Sequence, residues 1–244
     1  MQIQVAVAKV SKYASSESGD TLEMIERPHG GLSLVLVDGQ RSGRSAKAIS
    51  TLVAHKAISL LAEGIRDGAV ARAAHDYLYT QRKGKVSATL NIVSVDMETK
   101  TLVISRNSHC PVIVQTGPEE QVLLDTPTEP VGVYRYTKPE IHELPLQVGM
   151  VIVVYTDGIL SAGERTGKTL NAPALISDLY GQYADCEDIA RPIADGLLNE
   201  ALRLDEGRPA DDISVLVVAV AGAEIKGEVR YLQVYLPIPP LWRP

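Results

Sequence analysis

The apolar residues of this 244-residue chain change period four times, and the order of those changes restricts the fold more than composition does. Ile3, Val5 and Val7 alternate with Gln2, Gln4 and Ala6, which is the period of a strand. Turn-forming residues 15–20 lead to a second strand through Leu22, Met24 and Ile25. Gly30-Gly31 then opens Leu32–Val37, an almost wholly apolar run that belongs inside a sheet. After Asp38-Gly39 the period becomes helical: Ala48, Ile49, Leu52, Val53, Ala57, Leu60 and Leu61 recur on one face, with Lys47, His55 and Glu63 expected outside. Gly64 and Asp67-Gly68 read as the close of that helix, and Val70, Ala73, Ala74, Tyr77 and Leu78 as the next.

The middle of the chain returns to strands. Segments 86–95 and 102–105 flank a hairpin turn at 96–100, and 112–115 and 122–124 flank Gly117-Pro118. Segments 139–144 and 151–155 continue the meander. Two helices follow, around 174–180 and 189–198, and a last core strand covers 213–220. This order lacks the βαβα alternation of a parallel sheet, so an α+β sandwich with helices segregated from antiparallel strands is expected. One domain over residues 1–222 accommodates it. Residues 223–244 read as a C-terminal strand, with Val229, Tyr231, Gln233 and Tyr235 opposing Arg230, Leu232, Val234 and Leu236, and a Pro-rich end, the whole serving as a packing or docking element.

Composition excludes several classes of partner. The net charge is −6, and the longest basic cluster is 81–85, so no nucleic-acid partner is expected. There is no basic start followed by an apolar run, and no stretch of about 18 apolar residues, so a cytoplasmic location without membrane contact is expected. The two cysteines, Cys110 and Cys186, are far apart and read as buried thiols.

Acidic residues stand where the strands begin and end. Asp20 lies between two strands, Asp38 closes 32–37, Asp157 follows 151–155, and Asp211-Asp212 precede 213–220. A carboxylate at the lip of a buried strand is costly unless it is neutralised, and several together repel. Hard divalent cations relieve both penalties, and oxygen ligands suit Mg²⁺ or Mn²⁺. Taken singly, each Asp has a plain reading as a turn or capping residue.

Five segments in this order, Ser18-Gly19-Asp20, Val37–Gly43 with Asp38-Gly39, Ser87–Leu90, Tyr155-Thr156-Asp157-Gly158-Ile159 and Asp211-Asp212-Ile213-Ser214-Val215, resemble the metal-dependent protein phosphatase (PPM) family, in its bacterial SpoIIE/RsbX/RsbU branch. The resemblance runs from about residue 3 to residue 221. It implies a four-layer α-β-β-α sandwich of two antiparallel sheets flanked by helices, with two Mn²⁺ or Mg²⁺ ions at one edge. It also implies the ligand set: Asp38 bridging, Asp20 and the Gly39 carbonyl on one ion, Asp157 and Asp211 on the other. Asp211 is preferred to Asp212 because the family's ligand is the first of the pair, which leaves Asp212 as a supporting residue. The activity implied is hydrolysis of phosphoserine and phosphothreonine by a metal-activated water. The first motif lies close to the first residue, as in the RsbX-like members, and the implied substrate is a phosphorylated STAS-domain regulator, such as an anti-sigma-factor antagonist or stressosome component.

The chain departs from that pattern in two places. The arginine that many members place before the first motif is missing; Lys12 and Arg41 are the candidates for holding the substrate phosphate. His109, in Asn107-Ser108-His109-Cys110-Pro111, reads as a turn residue or as a proton donor to the leaving group. Three other functions compete. Ala162–Thr169 fits a relaxed phosphate-loop pattern but starts well after its strand. A haloacid dehalogenase-like site would need a second Asp where Gln40 stands. The third is a non-catalytic signalling module on the same fold.

Overall fold

Strand pairing divides the ten strands of this computed structural model between two antiparallel sheets; it describes residues 1–28, 30–222, 231–235 and 237. One sheet has the order β1-β10-β9-β6-β7, built from Gln2–Val10 (β1), Val112–Gly117 (β6), Glu120–Leu124 (β7), Val151–Tyr155 (β9) and Ile213–Ala221 (β10). The other has the order β2-β3-β4-β5-β8, built from Asp20–Glu26 (β2), Gly31–Gly39 (β3), Ala88–Asp96 (β4), Thr101–Asn107 (β5) and Glu140–Pro145 (β8). Helices Gly43–Ala62 (α1) and Asp67–Arg82 (α2) cover the second sheet, and Ala172–Tyr183 (α4) and Ala190–Leu204 (α5) cover the first. A single turn of helix, Asp157–Leu160 (α3), follows β9 directly.

Alternation along the strands explains why there are four layers. On β3, Leu34 and Leu36 join Ile152, Val154, Leu216 and Val218 in a core between the sheets. Their neighbours Val35 and Val37 point the other way, against Ile49, Val53, Ala57 and Leu61 of α1. On β9 and β10, Val153, Val215 and Val217 face Ile193, Leu197 and Ala201 of α5. Each central strand is therefore apolar on both faces, which is why 32–37 and 213–220 lack polar residues at every second place. Helix α5 buries Ala190, Ile193, Ala194, Leu197, Ala201 and Leu204, a stripe at helical spacing. Asn171 caps α4 by accepting the N–H of Ala174 at 3.2 Å, with Pro173 in the first turn.

The structure corrects the sequence reading at several points. Asp67-Gly68 opens α2 rather than closing α1, because a carboxylate is favoured at a helix start and Asp67 also meets Arg27 at 2.9 Å. Asp157 is the first residue of α3, not the end of a strand; β9 stops at Tyr155. Cys186 is exposed in the turn between α4 and α5, while Cys110 is buried as expected. In the tail, Tyr231–Tyr235 form no strand and are exposed on both sides, with Tyr231 at 84% and Val234 at 88%. The rest of the expected tail element, including Val229, Arg230 and Leu236, lies outside the described residues. Among the described residues, no helix is long and apolar enough to cross a membrane.

Candidate metal centre

The register of β2 on β3 sets Asp20 directly opposite Asp38, and Asp38 opposite Thr89 of β4. Parity then fixes which way the two acids point. Asp20 shares a strand face with Leu22, and Asp38 with Leu34 and Leu36, all of which face the other sheet. On that other sheet Thr156 follows the parity of Ile152 and Val154, and Ser214 that of Leu216 and Val218. All four polar residues thus reach the same end of the gap between the sheets, just past the last apolar layer.

Hydrogen bonds join the sheets there. Asp20 Oδ2 accepts from Thr156 Oγ1 at 3.0 Å and from Ser214 Oγ at 2.6 Å. Asp20 Oδ1 is buried and has no hydrogen-bond partner. The Asp20 carbonyl accepts from two ammonium groups, Lys9 Nζ at 2.7 Å and Lys47 Nζ at 2.8 Å; Lys47 also donates to Thr21 Oγ1 at 2.9 Å. Lys47 is therefore engaged at the site, not outside as its helical position suggested. Asp212, 4% exposed, accepts the N–H of Lys12 at 2.9 Å and that of Gly19 at 2.8 Å. Asp211 Oδ1 accepts the N–H of Asp212 at 2.9 Å.

Glycine is required at two of these places by close approach. A Cβ on Gly39 would lie 2.1 Å from the Ala46 carbonyl oxygen of α1, and one on Gly158 would lie 2.2 Å from the Asp212 carbonyl oxygen. The two Asp-Gly pairs thus let α1 close on β3 and α3 close on the start of β10.

Electrostatics link the four candidate ligands. Burial first, then the charges of Asp20, Asp157 and Asp211, pushes the Asp38 carboxyl up to about 9. Burial raises Asp20 to about 6, against the hydrogen bonds from Ser214 and Thr156 and the charge of Lys9. Asp157 is raised as well, by burial and then by Asp211. His109 Nε2 stands 3.8 Å from Asp157 Oδ2, at the exposed rim. The turn that carries it is held from beneath by buried Arg106, which donates to the carbonyls of Ser108 at 2.8 Å and of Thr126 and pairs with Glu140.

Among the described residues, no three His, Cys, Asp or Glu side chains form a finished ligand set. The donor chemistry nonetheless fits a hard divalent cation: carboxylates that raise one another's affinity for protons, and a buried carboxylate oxygen without a partner. Of the two residues expected to hold substrate phosphate, Lys12 is fixed here by its backbone N–H, and Arg41 lies exposed in the β3–α1 loop at φ 78°. Ala162–Thr169 forms a loop with one 3-10 turn, Glu164–Thr166; Lys168 is exposed, and the next helix begins only at Ala172. Thr156 and Ser214 lie inside the segments already singled out but were not recognised there; the signal that could have found them is a hydroxyl at the edge of an apolar run. Lys9 and Lys47 carried no such signal.

Comparison with known proteins places this arrangement. The family model for Stage II sporulation protein E (SpoIIE) matches residues 28–221. Stage II sporulation protein E of Bacillus subtilis (strain 168) is 19% identical over 231 residues, which is 90% of this chain but 26% of that protein, so the chain spans about a quarter of its relative's length. The solved structure of the PP2C phosphatase domain of SpoIIE from Bacillus subtilis, with a fragment of its regulatory domain, superposes with a TM-score of 0.75 at 19% identity, covering 90% of this chain and 64% of that one. RsbX in complex with magnesium gives 0.63 at 16% identity, covering 90% and 96%. The sandwich with acids at the mouth of its inter-sheet gap is thus a PP2C-type (PPM) fold. Within that class the chain belongs to the Stage II sporulation protein E (SpoIIE) family.

Proposed function

We propose that the chain is a metal-dependent protein serine/threonine phosphatase. In this reading Asp20, Asp38, the Gly39 carbonyl, Asp157 and Asp211 hold two Mn²⁺ or Mg²⁺ ions, and the work is done in the cytoplasm. The observation that carries it is the Asp20–Asp38 pair: two carboxylates opposed in register, one with a buried oxygen lacking a partner, the other holding its proton to about 9. When bound, divalent ions at such a site supply positive charge for the phosphoryl group and make a water acidic enough to attack phosphorus.

The chain's own residues prepare that chemistry. Thr156 and Ser214 hold one oxygen of Asp20 and leave the other facing the gap. Lys9 and Lys47 fix the peptide on which Asp20 stands. Asp212 ties the Gly19 turn to the start of β10. The phosphoryl group of a substrate carries a charge of about −1.5 to −2, so it enters this acidic mouth only when the carboxylates are neutralised.

The magnesium in the RsbX relative supports a divalent ion here, with the choice of Mn²⁺ or Mg²⁺ left to measurement. A phosphorylated STAS-domain regulator is the proposed substrate, by analogy with the sigma-factor regulators of the same branch. The test is release of phosphate from a phosphoserine peptide, from para-nitrophenyl phosphate and from a phospho-STAS protein, with and without Mn²⁺. Asp38→Asn is expected to lower the metal-dependent rate by at least about 100-fold. Equal rates with and without metal would refute the reading. Activity on phosphotyrosine peptides or small metabolites but on no phospho-STAS protein would refute the substrate. The alternative is a non-catalytic signalling module on the same fold; failure of Mn²⁺ to bind the folded chain would decide for it.

A further inference from the structure

Two loops form a recess of about 490 Å³ lined by Arg165, Thr166, Glu206 and Arg208. One loop leaves α3, whose first residue is Asp157; the other ends at Asp211, so both issue from candidate ligands. The recess is firmly built. Asp205 accepts the N–H groups of Gly163 at 2.9 Å and Ala210 at 3.2 Å, and Thr166 Oγ1 donates to the Leu204 carbonyl at 3.0 Å. Arg165 Nη2 donates to the carbonyls of Asp205 at 2.8 Å and Arg208 at 3.0 Å, which orients its guanidinium. The Arg208 guanidinium lies 5.4 Å from the ring centre of Tyr13, whose N–H donates to the Pro209 carbonyl at 2.9 Å.

Arg165 and Arg208 belong to the larger share of the described arginines that form no ion pair with a carboxylate. Arg27, Arg106, Arg191 and Arg203 each pair with a carboxylate. Among the described residues neither Arg165 nor Arg208 forms such a pair, although Glu206 lines the same recess. Two guanidiniums against one carboxylate, that of Arg165 oriented by backbone carbonyls, leave donors for an oxyanion from outside. We propose that this recess binds an acidic side chain of the phosphoprotein, close in sequence to the phosphorylated residue, and so selects substrates with a carboxylate beside the phosphoryl group. The proposal rests on the phosphatase reading for its substrate, but not for its binding chemistry.

The experiment uses two fluorescently labelled phosphoserine peptides, one with Asp and Glu flanking the phosphoserine and the other with Asn and Gln. Binding to the full chain in Mn²⁺ is read by anisotropy, and phosphate release is measured in parallel. The wild-type chain is expected to prefer the acidic peptide about five- to tenfold at low salt, with the preference shrinking as salt rises. Arg208→Ala and Arg165→Gln are each expected to cut the preference about threefold, and Arg208→Glu to reverse it. Arg208 donates no side-chain hydrogen bond within the described residues, so its variants keep the test valid if Arg165→Gln disturbs the loop. No preference in the wild type, or a preference that survives in the Arg208 variants, overturns the proposal. An equal loss on both peptides overturns it too, by assigning the arginines to the reacting phosphoryl group. Arg208-dependent binding of inorganic phosphate without any peptide preference would make the recess a free-anion site, again overturning it. If no peptide is hydrolysed, the phosphatase reading fails while the anisotropy measurement still decides the recess.

Discussion

Both oxygens of Asp212 accept backbone N–H groups from segments some 200 residues away in the chain, so this carboxylate ties the start of β10 to the Lys12–Gly19 segment. Asp212→Ala would leave the N–H groups of Lys12 and Gly19 buried without acceptors. A loss of about 2–4 kcal/mol is expected by urea unfolding, with metal affinity falling as the Gly19-Asp20 turn loosens. Asp38 sets a different expectation. Its folded-state carboxyl is raised from 3.8 to about 9, so the folded metal-free chain keeps a proton that the unfolded chain releases. This contribution is fully present below pH 4 and is lost as the pH rises toward 9; Asp20 adds to the same trend up to about 6. A divalent ion must displace those protons, so the Mn²⁺-induced rise in thermal midpoint is expected to be larger at pH 8 than at pH 6, as differential scanning fluorimetry can show. The acids drew notice because each stands at the beginning or end of a strand-like run. Lys9 and Lys47 did not, since a lysine on a strand or helix reads as solvated until the fold shows what its ammonium reaches.

At the level of elements, most strands and helices announced themselves through period alone, and the boundaries went astray where one residue type has two uses. Asp-Gly after α1 looked like a stop because both residues favour turns; it is a start because Asp67 can also serve a helix N-terminus and a buried arginine. The one-turn α3 was missed because four residues carry no periodicity. The Arg106 network was likewise hidden, since nothing local shows that Arg106, fully buried at the end of β5, gathers the 125–139 loop and the Ser108–Cys110 turn. Arg106→Leu would leave Glu140 with only His142, at 3.1 Å, as an ion-pair partner among the described residues, and free the carbonyls of Ser108, Cys110 and Thr126. It is expected to cost about 3–5 kcal/mol in denaturant unfolding and to increase proteolytic cleavage within 125–139.

On the scale of the whole molecule, three apolar layers alternate with two sheets and two pairs of helices; the order of periods along the chain suggested an α+β sandwich, and the four layers followed from the family resemblance. Which strands neighbour one another was not legible: the pairing of β1 with β10 joins the two ends of the described domain, and no local pattern encodes it. The approach of Asp157 to Asp211 was equally hidden, because it follows from β9 lying beside β10, two strands far apart in the chain.

The two sheets share no backbone ladder; only side chains such as Leu36 and Val154 set their separation. Asp20 and Asp38 stand on one sheet, while Thr156 and Ser214, which hold Asp20, come from the other, so the gap closes on Asp20 like a caliper and the thickness of the hydrocarbon filling sets how wide its jaws stand. Val154→Phe, which touches no carboxylate, is expected to spread them and weaken Mn²⁺ binding in calorimetry by about tenfold, while the fold survives with a loss of about 1–3 kcal/mol. In such an architecture, a mutation in the grease is a mutation in the active chemistry.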